Sequence, residues 1–152
     1  MSGSLRRRIE VELEQMALHL EQHRPLIAQA TESRPEWRGV AVLALMLHGF
    51  YTGVERTLSR IAKDTGRLPS GGATWHRDLL QSAVSATDRS PAIISPELLE
   101  RLEGLLAFRH FVRNAYAHQY EWDQMEPLVR ELPETFAWVE RDLRAFLAAW
   151  KS

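Results

Sequence analysis

Apolar residues recur at helical spacing along almost the whole chain. Leu5, Ile9, Leu13, Met16, Leu20 and Ile27, with His23 filling one position, step by three or four residues. Glu10, Glu12, Glu14 and Glu21 fall mostly off that stripe, so the pattern predicts a long first helix from about Ser4 to Ala30. Ser33, Arg34 and Pro35 then break it. A second, cleaner stripe runs through Val40, Leu43, Leu47, Phe50, Val54, Leu58 and Ile61 and ends near Asp64-Thr65-Gly66. It carries Gly49 and Gly53, whose place inside a helix implies close helix packing there. Thr74 is the expected cap of a short third helix bearing Trp75, Leu79, Leu80 and Val84.

Ser95-Pro96-Glu97 announces a fourth helix: a cap oxygen, a proline at the first position, and an acid at the positive end of the dipole. Its main stripe is Leu98, Leu102, Leu105, Val112 and Tyr116, which places Tyr116 in the core. The neighbouring stripe turns from apolar to basic and aromatic: Leu106, His110, Arg113, Ala117 and Tyr120. Tyr120 is expected to be exposed. Pro127 is read as opening the last helix, which holds Leu128, Leu132, Phe136, Val139, Leu143, Phe146 and Trp150, with a kink or false start at Pro133. No segment alternates as a strand does. The fold class is all-α, an antiparallel bundle of four to five helices, and residues 1–152 are read as one domain.

Composition narrows the chemistry. The chain has no cysteine, which excludes disulfides, thiolate catalysis and Cys-based zinc sites. Its formal net charge is −1, so any affinity for an anion must come from a local patch. Arg6-Arg7-Arg8 is followed by an alternating charged stretch, unlike a signal peptide, and the longest apolar run, Val40 to Leu47, is too short to span a bilayer. A cytoplasmic protein without a membrane segment is the expectation.

The most informative segment is Arg113-Asn114-Ala115-Tyr116-Ala117-His118-Gln119-Tyr120. A guanidinium that stabilises phosphate, beside an imidazole that moves a proton near neutral pH, is a minimal kit for cutting RNA. The ribose 2′-OH can serve as the nucleophile, so no metal or cofactor is required. An Arg-x4-His pair alone carries little weight, since about 0.7 such pairs are expected by chance in this composition. A Tyr two residues after the His lowers that expectation to roughly 0.01. Residues five apart on a helix differ by ~140° in direction. Either the helix ends between Arg113 and His118, or a second subunit completes the site. The same residues also admit a structural reading, in which Arg113 pairs with Glu103 or Glu121 and His118 caps the helix.

Arg113-Asn114-x3-His118-x-Tyr120 resembles the R-x4-H-x-Y signature of HepT toxins, a branch of the HEPN superfamily of small all-α ribonucleases. Gly49-Phe50-Tyr51-x-Gly53-x-Glu55-Arg56 and Trp75-His76-Arg77-x-Leu79-Leu80 are similar to the longer, HepT-like branch. The resemblance covers about Arg34 to the C-terminus. It implies a homodimeric, metal-independent endoribonuclease whose two protomers share a cleft. It also implies a toxin neutralised by a minimal nucleotidyltransferase antitoxin that transfers AMP to the motif tyrosine. Carried over, Arg113 holds the scissile phosphate, His118 acts as general base or acid, Asn114 supports them, and Tyr120 accepts AMP. Arg109 and His110, a second basic pair one turn upstream, would add RNA-binding charge. Position 119 is Gln where the family commonly has an acid. The alternative from another class is a catalytically inactive HEPN-type helical module that dimerises and binds a nucleotidyltransferase or RNA.

Three further sets weigh less. His19 and His23 have metal-ligand spacing but no evident third ligand, so no metal site is expected. His48 with Glu55, and His76 with Arg77-Asp78, look like acid/base sets on paper and are read as helix-surface hydrogen bonds. Trp75, Trp138 and Trp150 are read as core or interface anchors.

Overall fold

A computed structural model describes residues 3–150. Five α-helices follow one another: α1 (Gly3–Glu32), α2 (Trp37–Asp64), α3 (Trp75–Ser82), α4 (Pro96–Asn114) and α5 (Trp122–Ala149). A 3-10 turn, η1 (Ala117–Gln119), links α4 to α5. The described residues contain no strand, as the periodicity requires. None of these helices is long and apolar enough to cross a membrane.

α2 is the central helix and packs against all the others. Its apolar stripe is buried throughout, with Leu43, Leu47, Phe50, Leu58 and Ile61 at 1% exposure or less. Met46, Tyr51 and Ala62, off that stripe, are buried as well, because α2 is covered on several sides. Phe50 meets Phe136 of α5 edge-on at 6.4 Å between centroids. α1 lies along one side of α2 with Leu5, Ile9, Leu13, Met16 and Leu20 turned inward. Arg56 of α2 forks onto the Glu12 carboxylate of α1 with bonds of 2.7 and 3.0 Å. Half of that arginine is in solvent, so the pair sets register more than it stabilises.

The two α2 glycines differ. A Cβ on Gly49 would come within 3.3 Å of the His19 ring, which is tied to Met46 O at 2.9 Å and would have to give by a few tenths of an ångström. A Cβ on Gly53 would meet the flexible Met16 side chain at 3.6 Å, ordinary contact distance. Gly53→Ala is therefore expected to stabilise the fold by about 0.5–1 kcal/mol, through the lower backbone entropy of the unfolded chain. Gly49→Ala should not. Denaturant unfolding of both variants checks the contrast.

The Ser95 cap is present. Its Oγ accepts the Leu98 N–H at 3.3 Å, and Pro96 occupies the first turn. Asp142 of α5 holds the cap in place by accepting from Ser95 N at 2.8 Å and Ser95 Oγ at 2.7 Å. Thr74 precedes α3, but its hydroxyl bonds the Asp78 carboxylate and caps no backbone N–H. The loops either side of α3 are gathered by Arg67. Its Nη1 donates to Ser82 O at 2.8 Å and Ser85 O at 2.6 Å, and its Nη2 to Pro91 O at 3.1 Å and to Ser90 Oγ.

The expected Thr74 cap is thus absent, and α3 ends at Ser82, so Val84 lies beyond it. Two further expectations are corrected. α5 begins at Trp122, not Pro127, because the buried Trp122 and Met125 extend its apolar face backward by a turn. The helix runs on through both Pro127 and Pro133, held by the α1, α2 and α4 faces it packs on. Tyr116 is not in the core: α4 ends at Asn114 and Ala115 is extended, so the helical stripe stops before reaching it. Tyr116 is 75% exposed.

Candidate functional site

The motif straddles the end of α4. Arg113 lies in the last turn, exposed, and forms no hydrogen bond or ion pair among the described residues. The pairing with Glu103 or Glu121 is therefore absent. Asn114 closes the helix, its Nδ2 donating to His110 O at 3.1 Å. The chain then leaves the helical direction at Ala115 (φ −119°, ψ 151°) and tightens into η1, which carries His118. The helix thus ends between Arg113 and His118.

η1 is closed by its own residues. Gln119 N donates to Tyr116 O at 2.8 Å, and Tyr116 N donates to the Gln119 side-chain oxygen at 2.7 Å. The amide at position 119 thus acts as a cap. The His118 ring lies flat on Tyr116, with centroids 5.8 Å apart and an angle of 7° between planes. Both ring nitrogens of His118 lack a partner among the described residues, so it does not cap the helix.

His118 opens onto a groove of about 340 Å³, whose walls include Arg34, Trp37, Tyr120 and Asp123. Trp37 is 68% exposed, with the Arg38 guanidinium 5.8 Å from its ring centroid. Arg38 does not line the groove, and Arg34, which does, is paired with Asp123 at 3.4 Å. Neither Trp37 nor Arg34 stood out in the sequence. Arg113 does not line this groove. Tyr120 is not freely exposed as expected. Its ring is half-buried against Phe108 and Phe111, at 6.5 and 6.1 Å between centroids, while its hydroxyl forms no hydrogen bond among the described residues.

Arg109 and His110 point to different surroundings. His110 is exposed, while Nε and Nη1 of Arg109 are buried without a partner. His19 and His23 are engaged with backbone: His19 Nε2 meets Met46 O at 2.9 Å and His23 Nδ1 meets His19 O at 2.7 Å. No group of three or more acidic or histidine side chains among the described residues is placed to hold a metal ion. The suggested His48–Glu55 set is corrected. Glu55 instead takes the Tyr51 hydroxyl at 3.0 Å and His76 Nδ1 at 2.7 Å, and Asp78 pairs with Thr74 rather than His76.

An all-helical bundle with an exposed Arg–His motif at a helix end defines the class. The HepT-like protein family matches residues 41–150, most of the chain. The protein belongs to that family, within the HEPN superfamily. No curated protein and no solved structure matches it significantly.

Proposed function

We propose that the protein is a HEPN-type endoribonuclease that cuts RNA without a metal ion. One observation carries the reading: Arg113 and His118, either side of a helix end, are both exposed and free of any hydrogen bond or ion pair among the described residues. In the proposed reaction His118 takes the proton of a ribose 2′-OH. The 2′-oxygen bonds to phosphorus, the bond to the 5′-oxygen breaks, and a proton neutralises that leaving oxygen. Arg113 offsets the charge on the phosphoryl oxygens, and Asn114 stiffens the helix end that presents it. A homodimer would place two copies of the motif in one cleft, with the exposed His110 beside it.

The family suggests a toxin, so a cognate minimal nucleotidyltransferase is the proposed antitoxin partner. It would transfer AMP to the unbonded Tyr120 hydroxyl at the groove rim, displacing pyrophosphate from ATP. The second reading, a silent module that binds RNA or the nucleotidyltransferase, is favoured by the absence of Arg113 from the groove that His118 lines. The two separate on one assay: purified protein, RNA and excess EDTA. The ribonuclease yields 2′,3′-cyclic phosphate and 5′-hydroxyl ends. Binding without cleavage supports the silent module.

A further inference from the structure

Three helices bring titratable side chains together at a place outside the motif. Glu55 of α2 is 13% exposed, and its Oε2 is approached by both the Tyr51 hydroxyl and His76 Nδ1 of α3. An ionised carboxylate only accepts, so both neighbours donate. Tyr51 is fully buried, and burial together with the Glu55 charge raises its phenol far above the ordinary range, which keeps its proton in place. His76 therefore carries hydrogen on Nδ1, and its Nε2 has no partner among the described residues.

His76 lines a cleft of about 310 Å³ between α3 and α4, with Thr74, Arg77, Glu103 and His110. The His76 and His110 rings stand 6.2 Å apart between centroids, near enough for one small anion to touch both. Trp75 backs His76 edge-on at 4.9 Å. A half-buried carboxylate–imidazole pair adds little stability, because desolvation offsets its attraction. What it does fix is the tautomer and direction of the ring. Protonated, His76 donates from both nitrogens at once, inward to Glu55 and outward into the cleft. Arg109, next to His110 in sequence, holds two buried nitrogens without a partner, and its charge is felt at Tyr51. Arg109 does not line the cleft, and the Glu55 carboxylate acts on the same Tyr51 hydroxyl, so recognition in the cleft rests on His76 and His110. Glu103 is the opposing charge in the cleft: it lies two turns before His110 on the same face of α4, so an anion must sit toward the His76–His110 end.

We propose that this cleft binds a phosphate group of the RNA strand, received by His76 Nε2 and His110 with Arg77 at its rim. That the phosphate belongs to RNA rests on the ribonuclease reading. Arg113 lies three residues beyond His110, ~4.5 Å further along α4, so one strand can contact both.

The test is a titration of inorganic phosphate into the full chain, with the imidazole signals of its six histidines followed by NMR. His76 and His110 signals should shift together and saturate. The affinity should fall roughly tenfold in Glu55→Gln and in His110→Gln, as for the loss of one hydrogen bond to a charged group. His110 is exposed, so that variant keeps its fold if Glu55→Gln does not, and circular dichroism shows which have folded. Shifts confined to His118, no shift, or unchanged affinity in His110→Gln overturns the inference. Saturable binding at His76 and His110 in a protein that cuts no RNA supports the cleft and removes the ribonuclease reading. Normal cleavage with no phosphate shift there removes the cleft alone.

Discussion

His118→Ala is expected to slow RNA cleavage by ~10²–10⁴-fold, the usual contribution of a positioned general base or acid. Arg113→Ala should lose ~10²–10³-fold, the scale for removing one electrostatic contact to a developing oxyanion. Arg113→Lys should recover only part, because an ammonium keeps the charge without the two-pronged geometry. Neither residue has a hydrogen-bond or ion-pair partner among the described residues, and His118 stacks only on the exposed Tyr116, so both alanine variants should unfold within about 0.5 kcal/mol of wild type. That separates a loss of chemistry from a loss of fold. Cleavage rates in excess EDTA, beside denaturant unfolding of the same samples, supply both readouts. Equal cleavage by wild type and both variants would remove the two residues from the reaction.

The largest effect on stability is expected at Arg67, which no motif marks. Its guanidinium bonds five acceptors on four residues, Ser82 at the end of α3 and Ser85, Ser90 and Pro91 beyond it. Burial lowers its pKa from the ordinary arginine value, but a guanidinium remains charged. Alanine would leave several acceptors short of a donor at once. A cost of ~2–4 kcal/mol follows from hydrogen bonds to a charged group. In a domain of this size that lowers Tm by roughly 5–15 °C. Arg67→Lys should fall between, since one ammonium cannot reach carbonyls on both sides of the loop. Thermal unfolding of the two variants tests the order; an alanine variant as stable as wild type would show that the loops hold without the clamp.

The residues readable from the sequence were those governed by local rules. The α2 stripe, the Ser95-Pro96 start and the break at Pro35 depend on spacing and capping alone, and each is found. Tyr116 misled because periodicity was carried past a helix end that has no glycine or proline to announce it. Pro127 and Pro133 misled in the opposite sense. Proline weakens a helix locally, but packing along a 28-residue element outweighs that cost. The Arg113–His118 motif was legible because its members are close in sequence. The Glu55–His76 contact was not, since its partners are 21 residues apart on different helices and each had a nearer, more plausible neighbour. Trp37 and Arg34 reach the His118 groove only through the tertiary fold, so no spacing rule points to them.

The η1 turn is held by few bonds. Its closing hydrogen bonds join only residues 116 to 120, and Ala117, His118 and Gln119 are all exposed. Opening such a segment disrupts a few local bonds and little apolar surface, so it takes far less free energy than unfolding the bundle. The imidazole is thus expected to sit on a unit that opens more readily than the five helices, even with its contact to α2. Changes to the Gln119 cap or the Tyr116 stack are expected to alter the position of His118 and leave the melting point of the whole protein unchanged, which amide hydrogen exchange beside thermal unfolding would check.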